Sequence, residues 1–304
     1  LGPAGVAEAH LIAKKSAYLN VGFFLVRAVI YFVAWALLGL IFWRASTRQD
    51  ASGDVRITER LQTLAAPTAI IFGITITFAA FDWMMSLNPT WFSTMFGVYF
   101  FAACCTSGFA ALIVTCVILQ RAGRLRGIIT TEHYHDLGKL LFAFGMVFWA
   151  YIAFSQYMLI WYANLPEETT FFLARQAGAW VWFSLALLFG HFAIPFLLLL
   201  SRHPKRSHFL VIGAIWMAFF AWLDLYWLIM PELPIGFLPE LNSYNEFTEL
   251  TRDVTTNLLS PLNWLLLASF LGFFAAFAAR NLRGNLLVPA RDPRLKESLA
   301  FENM

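Results

Sequence analysis

Between residues 130 and 161 the sequence passes from a polar cluster into an unbroken apolar and aromatic run. The cluster is Thr131, Glu132, His133, Tyr134, His135 and Asp136, and Lys139 marks the seam. The run that follows, 140–161, is long enough as a helix to span about 30 Å, the thickness of a bilayer's hydrocarbon core. A helix therefore enters the membrane at a knot of proton-carrying groups. In a helix, Glu132 and Asp136 stack at i,i+4, as do His135 and Lys139. Such a cluster also suits a solvated, capped helix start that anchors the lipid interface.

Six more runs of this kind follow the same rule. The spans read as 19–43, 64–85, 95–119, 140–161, 176–200, 209–230 and 258–279. Composition agrees: 60% of residues are hydrophobic and only 13% charged, about half the charged fraction of a soluble domain. Mean hydropathy is +0.67. The expected fold class is all-α, a polytopic transmembrane helix bundle with seven spans. A barrel is excluded by the lack of period-two alternation, and backbone groups in lipid must be paired within each segment.

Lysine and arginine counts set the expected orientation. The loops after spans one, three, five and seven hold 4, 3, 3 and 5, with Lys139 counted at the seam of span four. Those after two, four and six hold 0, 1 and 1. By the positive-inside rule the basic loops and the C-terminus face the cytoplasm, and the start of this chain faces outward. Lys14 and Lys15 are the mild exception. No secretory signal is visible, and the chain does not begin with Met, so an upstream segment is expected. The net charge of +3 is dispersed among loops and does not suggest a nucleic-acid partner.

A charge in hydrocarbon costs at least a few kcal/mol, so each one invites a functional reading. Arg27, Asp82 and Asp224 fall in the outward half and His191 in the inward half. Together with Glu132, His133, His135, Asp136 and Lys139 they resemble two half-channels, one open to each side. Pro195 lies four residues after His191 and cannot donate to its carbonyl, so a kink and a free carbonyl are expected there. Each residue also has a structural reading. His191 suits a packed core histidine. Asp224 suits pairing with Arg or Trp. Arg27 suits snorkelling or a buried pair with Asp82. Ser155 and Gln156 suit polar contacts between helices.

Two segments, 78–83 and 219–224, each set an Asp among aromatics, a weak trace of an internal repeat. Cys104, Cys105 and Cys116 share one apolar stretch and form no metal-ligand spacing, which reads as small buried hydrophobes. No paired haem ligands, iron–sulfur set or phosphate-binding loop stands out. No redox centre is expected in this chain.

Four stretches carry a resemblance. They are residues 15–20 with Phe23, Phe24 and Arg27; residues 81–87 running into 91–94; residues 132–139; and residues 151–166. Together they resemble the F subunit of bacterial alternative complex III, a quinol:cytochrome c (or other electron-acceptor) oxidoreductase. That subunit belongs to the NrfD/polysulfide-reductase-type membrane family. The resemblance covers most of the chain from Lys15 to Pro231.

It implies ten helices, as two four-helix bundles plus two flanking ones, so three would lie upstream. Residues 1–94 would then be a lead-in and two spans of an incomplete first bundle. Residues 95–230 would be a complete four-helix bundle, and 231–304 an outer loop, the last span and a cytoplasmic tail.

The resemblance also implies a bacterial cytoplasmic membrane and a set of partners: an NrfD-like sister membrane subunit, a periplasmic iron–sulfur subunit and c-type cytochrome subunits. Haem c and iron–sulfur clusters would sit in those partners, with menaquinol the possible lipid-phase reductant. The role implied here is a non-redox membrane subunit that conducts protons coupled to quinol oxidation. Glu132, His133, His135, Asp136, Lys139 and His191 would form its inner path, and Asp82 and Asp224 its outer path, with Arg27 setting the charge of Asp82. The alternatives are a quinol-binding subunit in its own right, which would be an enzyme component, and a passive scaffold.

Overall fold

A computed structural model describes residues 10, 12–205, 209–232, 260–284 and 286–302. Among these residues the fold is all-α, and seven helices are long and apolar enough to cross a membrane. They are α1 (Val21–Ser52), α2 (Val55–Trp83), α3 (Phe96–Arg121), α4 (Thr131–Ala163), α6 (Trp180–Leu200), α7 (Phe209–Ile229) and α8 (Pro261–Leu282). A further, short helix, α5 (Pro166–Gln176), lies between α4 and α6. The acidic loop residues Glu240, Glu246, Glu249 and Asp253 lie outside the described residues.

The basic segment 44–61, expected as a loop, is helical on both sides of a tight turn at Gly53 and Asp54. Its residues are good helix formers, so the hydrogen-bond ladder continues past the hydrocarbon core. Gly53 takes a left-handed φ of 69° and its N–H returns to Gln49 O, the glycine C-cap geometry. Asp54 caps the start of α2 by accepting the N–H of Arg56. Buried Gln49 bonds Thr58 and the carbonyl of Asp54, which locks the hairpin. The segment 163–170, expected as a turn, likewise already contains the first turn of α5. Pro166 sits at its N-terminal turn, where a missing N–H costs nothing.

Side-chain contacts show that alternate helix ends gather at one side. Arg124 donates to Leu282 O, Arg291 to Ala51 O, and Arg202 lies near Glu132. These contacts bring the ends of α1, α3, α6 and α8 together with the start of α4. We call this the basic end. At the opposite end Lys15 donates to Pro89 O, Asn88 bonds Glu232, and Trp91 stacks on Phe171 at 4.1 Å. The charge alternation read from the sequence therefore matches an up-and-down bundle.

The core has two layers. Near the basic end Ala110, Ile113, Leu141, Met146, Leu210 and Met217 pack together. Toward the opposite end Trp91, Phe96, Tyr99, Trp149, Trp180 and Trp227 form an aromatic cluster. Helices α3 and α7 run through both. By contrast, α8 buries no residue and touches α7 through Trp264 against Trp222. Its apolar side chains are exposed on the outside of the bundle.

Two helices carry π-helical stretches, Leu141–Phe148 in α4 and Leu187–Ala193 in α6. Such bulges free backbone carbonyls for other partners. The expected irregularity near Pro195 is present, but the carbonyl taken by a crossing side chain is that of Gly190, not His191. Trp216 Nε1 donates to it at 2.7 Å. In an i→i+5 register the carbonyl that Pro195 leaves unserved is the one five residues back. Gly190 also lets α7 approach: a Cβ there would run into the Phe220 ring. Gly190→Ala is expected to destabilise the bundle by about 1–3 kcal/mol, the range for overpacking. A lower melting temperature in detergent checks this, and Gly190→Ala should cost less when introduced into a Phe220→Ala background than into the native protein.

Candidate functional site

Asp224, in the C-terminal third of α7, is fully buried. Tyr99 of α3 donates its hydroxyl to Oδ1 at 2.5 Å, and Trp149 of α4 donates its indole N–H to Oδ2 at 3.0 Å. No Lys or Arg among the described residues forms an ion pair with it. The other face of Trp149 carries the His191 ring, stacked at 4.0 Å and 3° from parallel. His191 is also fully buried, and its Nε2 lies 3.2 Å from Gly145 O. That carbonyl belongs to the π-helical stretch of α4 and also accepts the Thr106 hydroxyl at 2.8 Å. A carbonyl can only accept, so Nε2 carries the proton and Nδ1 of the neutral ring is an acceptor. Nδ1 has no partner. Carboxyl, phenol, indole and imidazole thus form one unit at the centre of the bundle, and both local irregularities of α4 and α6 serve it.

Arg27 and Asp82 do pair with each other. Arg27 Nε and Nη2 meet Asp82 Oδ2 and Oδ1 at 2.7 and 2.9 Å, a two-point clamp between α1 and α2. Tyr31 donates its hydroxyl to Oδ2 at 2.7 Å. The guanidinium also donates to Tyr18 O and lies over the rings of Tyr18 and Phe23 at 3.8 and 4.2 Å. Tyr18 lies just outside the membrane span, and its phenol is pushed up to about 12, chiefly by burial and then by Asp82. Every polar atom of this pair is engaged within the clamp.

The polar residues at the start of α4 separate into surface pairs. Lys139 meets Asp136 at 2.9 Å, and both side chains are nearly half exposed. Glu132 lies 3.9 Å from Arg202. His133 bonds Thr130 across the helix cap and Ser298 O of the C-terminal tail, and its ring meets Phe301. His135 is buried. Nearby Lys205 donates to Leu199 O and Leu200 O, capping α6, and burial pulls its ammonium down, with Lys139 adding to the shift. These groups do not meet His191. From His135 to Gly145 there are ten residues of helix, roughly 15 Å, and the apolar layer around Leu141 and Met146 lies beside that stretch. Ser155 is partly buried, while Gln156 is buried and its Nε2 has no partner.

One knot was not legible in the sequence. Arg175, the last charge of α5, is fully buried. It pairs with Glu232 at 2.9 Å and donates to the carbonyls of Phe171, Trp227 and Leu228. Its guanidinium lies 3.4 Å from the Phe171 ring centre. Burial pulls it down to about 10, with Glu232 opposing the shift. Glu232 Oε2 accepts from Asn88 Nδ2 at 2.9 Å, and Asn88 Oδ1 orders the turn by accepting from Thr90 and Trp91. In sequence Arg175 counts as one charge in a short loop. The available signal was its setting, with Phe171 one turn before it and Trp180 after it.

The three cysteines, Cys104, Cys105 and Cys116, are partly buried in α3 and unbridged. No group of three His, Cys, Asp or Glu side chains among the described residues could hold a metal. A scan against protein-family models gives no match, and a search of the curated proteins gives none.

Proposed function

We propose that this chain is a proton-conducting membrane subunit of a quinol:electron-acceptor oxidoreductase of the alternative complex III type. The observation that carries the reading is Asp224. It is fully buried within a membrane-spanning helix without an ion-pair partner among the described residues, and it is linked through Trp149 to an equally buried His191. An ionisable group held there by a phenol and an indole is costly unless it works. His191 adds an acceptor nitrogen, and the π-helical carbonyl of Gly145 fixes its tautomer. The remaining context rests on the resemblance of residues 15–27, 81–94, 132–139 and 151–166. That context is a bacterial cytoplasmic membrane with the basic end inside, a sister membrane subunit, periplasmic iron–sulfur and cytochrome c partners, three further helices upstream, and cofactors held by the partners.

In this reading Asp224 and His191 are the deep stops. Arg27 and Asp82 brace α1 against α2. Glu132, His133, His135, Asp136 and Lys139 form the collecting surface at the basic end. Water must bridge the roughly 15 Å between that surface and His191. Asp224→Asn is expected to lower the protons moved per electron at least severalfold while quinol oxidation continues. The measurement is proton uptake and electron flux in liposomes holding the whole complex. Unchanged stoichiometry would sink the assignment.

The engaged pairs Arg27–Asp82 and Arg175–Glu232 favour a second reading, in which the chain is a scaffold and its deep charges are braces. That reading predicts loss of assembly, without a change in stoichiometry, in every charge variant. A mild-detergent pull-down tests the shared premise: haem-bearing and iron–sulfur partners should co-purify.

A further inference from the structure

Helices α4 and α6 leave a cavity of about 1040 Å³ between residues 147–157 and 181–196, floored by α5 and α7. Along α6 it runs for roughly 22 Å. Exposed Tyr151, Phe154 and Leu188 form its rim, so it opens sideways into the hydrocarbon. Its two ends differ. Toward the basic end Val147, Leu188, Phe192 and Phe196 make an apolar slot.

The other end is polar. Gln156 lines it, buried, with an amide nitrogen that has no partner. Tyr157 accepts from Gln176 at 3.3 Å and retains its own hydroxyl proton to donate. Arg175 also lines this end, but its charge is matched by Glu232 and its N–H groups serve three carbonyls. Ser184 is spent between Trp227 and the Arg175 carbonyl. The polar end therefore offers donors without a spare positive charge. It calls for a neutral acceptor, not a phosphate or carboxylate. An unsatisfied buried amide is unfavourable, and a ligand carbonyl would satisfy it.

We propose that this groove binds a single membrane lipid: a long apolar chain lying along α6, with an uncharged carbonyl-bearing end held by Gln156 and Tyr157. An ester-linked neutral glycerolipid and a prenylated quinone share that chemistry. Tyr99 and Trp149, the donors to Asp224, line the groove's inner wall, but the proposal does not rest on the proton reading, since occupancy needs neither redox partners nor proton transfer.

The test uses the full chain in lipid nanodiscs with two photoactivatable probes, a diazirine-bearing diacylglycerol and an azido prenyl-benzoquinone. Saturable labelling of residues 147–157 and 181–196 is expected from one of them, and the probe that saturates at lower concentration identifies the source. Gln156→Leu should raise its half-saturating concentration about five- to tenfold, the loss of one hydrogen bond. Leu188→Trp, on the lipid-facing rim and tolerant of bulk, should abolish saturable labelling while the melting temperature holds. Labelling that is unsaturable, spread over α1 and α8, and indifferent to Leu188→Trp would mean annular lipid only and would overturn the proposal.

Discussion

Arg27→Met is expected to destabilise the protein by about 3–5 kcal/mol, because it strands a buried carboxylate. Asp82 has no exposed side-chain surface, and its two oxygens face Arg27 Nε and Nη2. Once the guanidinium is gone, the Tyr31 hydroxyl alone serves it. The one cation over Tyr18 and Phe23 would go too, each ring contact worth about 0.5–2 kcal/mol. The damage should be confined to the α1–α2 hairpin. Thermal unfolding in mild detergent reads the size, and proteolysis between α1 and α2 reads the place. The control is Arg27→Met/Asp82→Leu. Removing both charges takes away the orphan, so most of the lost stability should return. If the double variant melts no higher than Arg27→Met, the penalty lies in packing, not in the stranded charge.

Glu232→Ala is the second large effect, also about 3–5 kcal/mol. Here the stranded group is the cation. Burial pulls the Arg175 guanidinium down and Glu232 opposes that pull, so the variant loses the group that favours its charged form. The carbonyls of Phe171, Trp227 and Leu228 would still hold the guanidinium, but nothing would balance its charge. Asn88 would lose the acceptor that ties the α2–α3 turn to the end of α7. Glu232→Gln keeps one acceptor oxygen, enough for Arg175 or Asn88 but not both, and should cost less than the alanine change. Asn88→Ala should cost about 1 kcal/mol, one hydrogen bond's worth. Equal effects of Glu232→Ala and Asn88→Ala would show that the ion pair adds nothing.

Much of the bundle was legible in the order of residues. Seven apolar runs needed no tertiary information, because hydrocarbon demands about twenty such residues per helix. The loop charges correctly grouped the helix ends. Asp82, Asp224, Arg27 and His191 stood out because ionisable groups at that depth are rare. What the sequence blurred were the helix ends at 44–61 and 163–170. Polar helix formers there extend the ladder beyond the membrane, and hydropathy is blind to that.

Tertiary structure decided the partners. Arg27 could have snorkelled outward; instead α1 and α2 lie close enough for a two-point clamp with Asp82. Asp224 could have met an arginine. It met Tyr99 and Trp149, while Arg175 pairs with Glu232, 57 positions along the chain. The π-helical register shifted the freed carbonyl from His191 to Gly190, and it gave Gly145 the carbonyl that holds the imidazole. The groove beside Gln156 depends on how far α4 and α6 stand apart. Apolar patterning determines which segments cross the membrane. Which buried polar atoms find one another depends on distances between helices, and no local pattern of residues contains those distances.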